Sequence, residues 1–149
     1  MLRRTFLTTC LALTAFPAAA ATPATEMTVV KSPTCGCCSA WVDHMRAAGF
    51  NVTVQDVDQN KLYQLKDQLG LTQEQWACHT AFVGLYFVEG HVPASDVKRF
   101  LEEQPDMIGL AVPGMPAGSP GMEMGGRRQP YNTLAIRKDG TSAVFARHR

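Results

Sequence analysis

The chain has 149 residues, of which 46% are apolar, with 14 Lys plus Arg against 13 Asp plus Glu for a net charge of +1. That is enough chain for one domain with its own core, and no basic block or tail is present to meet nucleic acid or an anionic membrane surface. Five cysteines, three of them within four positions, are the feature that composition leaves to be explained.

The first segment, "MLRRTFLTTCLALTAFPAAAATPA", has two arginines, an apolar stretch from Phe6 to Phe16 and a run of alanines. This is the plan of an export signal, with a cleavage site near Ala18 to Ala21 and a mature chain of about 128 residues. The apolar stretch is shorter than the roughly 20 residues that span a bilayer. Arg3-Arg4-Thr5-Phe6-Leu7 also resembles the twin-arginine motif, so the route is either the general secretory one or the twin-arginine one. Cys10 lies inside the apolar stretch and leaves with it. The mature chain keeps Cys35, Cys37, Cys38 and Cys78. A domain of this size needs no staples, so cysteines crowded into one loop suggest chemistry.

After the signal the chain alternates regularly. Met27 to Lys31 predicts a strand, ended by Ser32-Pro33. Cys38 to Ala48 predicts a helix, with Trp41, Val42 and Met45 at helical spacing and Gly49 as its stop. Asn51 to Asp56 alternates like a strand, and Lys61 to Leu69 forms a second helix with Leu62, Leu65 and Leu69 on one face. Thr72 and Gln75 fit a capping box. Ala81 to Val83 and Tyr86 to Glu89 flank Gly84-Leu85 as a hairpin, and Ala94 to Glu103 is a third helix opened by Pro93. Pro105 to Gly126 predicts a long loop rich in Pro, Gly and Met, and Asp139-Gly140 signals a final hairpin from Tyr131 to Arg147. The order is that of a thioredoxin-like α/β fold, a central mixed sheet flanked by helices. Its functional edge lies where the strands' carboxyl ends meet the following loops.

"SPTCGCCSAW" falls at that edge. Its spacing admits three readings: a disulfide staple, a Cys-x-x-Cys redox pair of Cys35 and Cys38, or a metal cradle. A helix N-terminus lowers a thiol's pKa, and thiolate is both nucleophile and metal ligand. Cys37 supplies a third soft donor where a dithiol enzyme needs two.

Other soft donors join them. Cu(I) prefers thiolate and thioether and accepts imidazole; the chain offers Cys35, Cys37, Cys38 and Cys78, then His79 and His91, then methionines in the long loop. Within that loop Pro113-Gly114-Met115 recurs as Pro120-Gly121-Met122, and turns at matched positions could aim Met115 and Met122 at one point. Hard oxygen ligands are scarce, against Ca²⁺ and Mg²⁺. A Cys₃His zinc site is the alternative, and it leaves the methionines unexplained. His44 reads as a surface residue, His148 as a disordered terminus, Met45 and Met107 as core filler. His91 has a second reading, as a cap for the third helix.

"SPTCGCC", "CHTA", "EGHVP" and "GLAVPGMPAGSPGME", in that order from about Val29 to Glu123, resemble the CopG-like family of small periplasmic copper-resistance proteins. The resemblance implies a thioredoxin-like fold, a periplasmic location and copper bound through cysteine, histidine and methionine. It also implies a redox role in handling Cu(I) and Cu(II), and other periplasmic copper-handling proteins as partners. The rival reading is a periplasmic thiol–disulfide oxidoreductase using Cys35 and Cys38. Such enzymes place a cis-proline before the third strand, facing the active cysteines. Here that stretch reads "ACHTAF", with no proline between Gly70 and Gly90, and Cys78-His79 offers two ligands instead.

Overall fold

The computed structural model describes residues 24–123 and 125–149. The segment expected to be an export signal, with Cys10, and Met124 lie outside the described residues. The elements run β1 (Thr25–Lys31), α1 (Gly36–Ala47), β2 (Phe50–Asp56), α2 (Gln59–Gln68), a 3₁₀ turn (Gln73–Gln75), β3 (His79–Val83), β4 (Tyr86–Gly90), α3 (Ala94–Glu103), β5 (Gly109–Val112), β6 (Tyr131–Ile136) and β7 (Ser142–His148). Seven strands form one mixed sheet in the order β2-β1-β3-β4-β5-β6-β7. None of the described helices is long and apolar enough to cross a membrane.

Strand alternation sorts the core onto two faces. Val29, Ala81, Val83, Val88, Leu110, Val112 and Ala135 point to one face, where Trp41, Val42 and Met45 of α1 and Val97 and Phe100 of α3 pack on them. Phe87, Ala111 and Ile136, one residue out of step, point to the other face and meet Leu71 and the half-buried Trp76. The expected capping box of Thr72 and Gln75 is present.

One expectation fails here. Pro105 to Gly126 is not all loop, because Gly109–Val112 is strand β5, buried throughout and paired parallel to β4 and antiparallel to β6. A central strand buried on both faces carries no alternation, and three apolar residues between Gly109 and Pro113 do not stand out from their neighbours.

Strand directions decide what meets at the sheet's edge. β3 runs antiparallel to β1, so His79 pairs with Lys31 at the carboxyl end of β1. β4 returns antiparallel to β3, bringing Gly90 and then His91 to the same end. β5 is parallel to β4 and ends opposite Gly90 at Val112, so Pro113-Gly114-Met115 also emerges there. Gly90 is required at this crossing: with φ 72°, a β-carbon would fall 2.3 Å from the Ala77 methyl and 2.7 Å from the Val112 carbonyl oxygen.

Candidate metal centre

α1 starts on the cysteine motif itself. Cys35 is its N-cap, in extended conformation (φ −79°, ψ 95°), and no side chain caps the first turn. The free N–H groups and the positive end of the helix therefore face the cysteines. Cys35 and Cys38 form a disulfide, and Cys37 and Cys78 are free. The Cys37 sulfur lies 3.6 Å from that of Cys35 and 3.9 Å from that of Cys78. The Cys38 sulfur is 3.8 Å from the Cys78 carbonyl oxygen.

Cys78 belongs to a second group as well. Its sulfur lies 3.0 Å from His91 Nε2 and 3.6 Å from His79 Nδ1. Ligand atoms of Cys35, Cys37, Cys38 and Cys78 all lie within 4.8 Å of one another, and so do those of Cys78, His79 and His91. Six of the eight expected ligands thus meet around Cys78, although some forty residues separate it from the first motif.

The histidines are set for coordination. His91 Nδ1 donates to the Pro120 carbonyl at 2.8 Å, which leaves Nε2 as the unprotonated nitrogen facing Cys78. Burial lowers the pKa of His91, and lowers that of His79 further with help from the adjacent His91. Both rings are neutral at neutral pH, the form that binds metal. Among the described residues, His79 Nε2 is the one buried side-chain polar atom with no hydrogen-bond partner. The Cys78 thiol is pushed up to about 12, by burial first and by Cys37 second. Without an ion it therefore keeps its proton, and binding a metal releases it. Two free thiols, or four once the Cys35–Cys38 disulfide is reduced, beside two neutral imidazoles fit a soft or borderline cation.

The methionine loop touches the cluster's surroundings at three points: Gly121 at α1, the Pro120 carbonyl at His91, and Met115 on a shared cavity wall. Gly121 has φ 84°, and a β-carbon there would fall 2.7 Å from the Cys37 carbonyl oxygen and 2.9 Å from the Trp41 nitrogen. The turn before Met122 is therefore pressed onto the first turn of α1, with Met122 half-buried. Met115 is 55% exposed. It stands on a surface cavity of about 460 Å³ whose wall includes Cys35, Cys78, Trp76 and Tyr63. Gly121, the neighbour of Met122, thus meets the backbone of α1 beside Cys37, and Met115 shares a cavity wall with Cys35 and Cys78.

Two other expectations are corrected. His44 is half-buried, and its Nε2 accepts from the Ala94 amide at 3.1 Å, which makes it the third helix's anchor in place of His91. His148 is ordered in β7, 2.9 Å from Asp96 and stacked on Tyr131. Sequence reasoning also missed Lys66 and Glu89, both fully buried. A helical-wheel signal existed for Lys66, one turn from Leu62 on the apolar face. Glu89 interrupts an otherwise apolar strand.

The family described as "Protein of unknown function, DUF411" matches residues 75–122, the stretch that holds Cys78, His79, His91, Met115 and Met122. Curated proteins give no match. The solved structure of copper resistance protein CopG in its Form 2 is 40% identical, with a TM-score of 0.78, covering 85% of this chain and 99% of that one. Its Form 1 is also 40% identical, with a TM-score of 0.77 and coverage of 84% and 98%. With that identity over nearly the whole length of those structures, and with the cysteine and histidine motifs drawn into one cluster, the chain belongs to the CopG family of copper-resistance proteins.

Proposed function

We propose that this is a periplasmic copper-handling protein that, once its export signal is removed, works as a single domain, residues 27–147, built on a thioredoxin-like unit. The strand order β2-β1-β3-β4 with α1 to α3 supports the thioredoxin-like reading. Cys35, Cys37, Cys38, Cys78, His79 and His91 are its ligands, with Met115 and Met122 as added thioethers. The single observation that carries this is the position of Cys78, whose sulfur reaches both the α1 cysteines and the two neutral histidines. The name of the similar structures supports copper as the metal over zinc, and so does Met115, a soft donor on the cavity wall shared with Cys35 and Cys78.

The disulfide supports a redox part in that role. Reduced, Cys35 and Cys38 are two ligands; oxidised, they are none. A dithiol here can give one electron to each of two Cu(II) ions, forming the disulfide and two Cu(I) and releasing two protons. The same disulfide at a helix N-terminus is the observation that favours the second reading, a thiol–disulfide oxidoreductase acting on proteins. Metal analysis of reduced protein offered copper and zinc together separates the two. We expect copper, above one equivalent per chain, because eight soft donors exceed the needs of one ion. Zinc alone, or no metal, contradicts the copper reading.

A further inference from the structure

Under the Cys78–His79 corner, on the α2 face of the sheet, Lys66 and Glu89 form an ion pair with neither side chain exposed. Glu89 Oε1 accepts from Lys66 Nζ and from the Ala77 amide, the latter at 2.6 Å. Its Oε2 accepts from the Thr80 hydroxyl at 2.6 Å, and Lys66 Nζ donates to that hydroxyl at 3.0 Å. Ala77 directly precedes Cys78, and Thr80 directly follows His79. One carboxylate therefore grips the chain on both sides of the two ligands.

The bland alternative is a buried pair that only stabilises the fold. Burying two charges is a poor route to stability, since well-packed apolar residues often do as well or better. Local geometry gives a better reason for it. No proline braces this corner, and the described backbone has no cis peptide bond. What fixes Ala77 is a bridge to Gly114 on the far side of the chain and Glu89 beneath it.

We infer that Glu89, its charge balanced by Lys66, is a positioning residue for the metal centre, holding the Ala77 amide and Thr80 hydroxyl so that Cys78 and His79 face the α1 cysteines and His91. The inference rests on the copper reading of that centre. Groups that orient metal ligands carry about 10- to 100-fold in affinity.

The test compares reduced chains in competition with a Cu(I) chelator. Lys66→Met with Glu89→Leu removes both charges and the acceptor for Ala77. We expect its Cu(I) affinity to fall about 10- to 100-fold. Lys66→Met with Glu89→Gln restores a neutral acceptor and should recover most of that loss. In a background of Cys78→Ser with His79→Phe the apolar pair should cause no further loss, because its effect runs through those two ligands; an additive loss there overturns the inference, as does wild-type affinity in the apolar pair itself. If the apolar pair does not fold, Thr80→Val removes the hydroxyl that joins Lys66 to Glu89. A loss of affinity is then expected, and unchanged affinity overturns the proposal. Failure of the wild-type chain to bind copper would reject the copper reading alone. The apo protein then decides: the rate of Cys78 alkylation, read by peptide mass spectrometry, must differ between wild type and the gripless variants, and equal rates overturn the positioning role.

Discussion

At the scale of single residues, the centre is made by groups whose protonation the fold has fixed. His79 is buried, and its pKa lies well below 6.5; burial lowers His91 and His44 in the same direction. The sign follows. Below pH 6.5 the unfolded chain takes up protons on these histidines while the folded chain does not, so stability is lost as pH falls and regained as it rises through 6.5. For His79 the slope approaches about 1.4 kcal/mol per pH unit. Cys78 works on the alkaline side: its thiol holds its proton up to about 12 against 9.0 unperturbed, so stability falls again between those values. Urea unfolding of the apo protein from pH 5 to 7 should show the acid slope, and His79→Phe should flatten it. An unchanged slope in that variant contradicts a neutral buried His79.

At the scale of elements, β5 and the loop after it carry Met115 to the cavity lined by Cys35 and Cys78, and set Gly121, beside Met122, against α1. β5 leaves the sheet at the edge where His79 and His91 sit, and Gly121 presses the second Pro-Gly-Met turn onto α1. Met115 is exposed, so its contribution to packing is small. Replacing Met115 and Met122 together by leucine should shift the apo melting temperature little, since Leu and Met have similar volumes and such swaps cost under about 1.5 kcal/mol. Cu(I) affinity should fall. A loss of stability with affinity intact would make both residues packing groups only.

At the scale of the whole molecule, the part of the fold that carries local periodicity was legible. The alternation of β2, the 3.6-residue stripe of Trp41, Val42 and Met45, and the turn residues at Gly84 and Gly140 each announce one element. β5 was not legible, because a fully buried strand carries no alternation. The soft-donor residues stood out by their chemistry, whereas the convergence of the cysteines and histidines depends on strand direction, which pairing decides. The roles of His44 and His148 depend on partners about fifty residues away, Ala94 and Asp96. Lys66 on the apolar face of α2 and Glu89 in an apolar strand each carried a local signal of burial, but their pairing, 23 residues apart, depends on the sheet bringing them together.

Everything proposed for the centre turns on Cys78, the sulfur shared by the cysteine group and the histidine group. The most direct measurement is a Cu(I) competition titration of the reduced Cys78→Ser variant beside wild type, with the melting temperature of each apo form as the control for folding. We expect the apo forms to melt alike. The variant should lose copper capacity and bind the remainder more weakly, by more than the about 10- to 100-fold carried by groups that only orient ligands. A variant that takes up the full copper complement at wild-type affinity would contradict the assignment of the site.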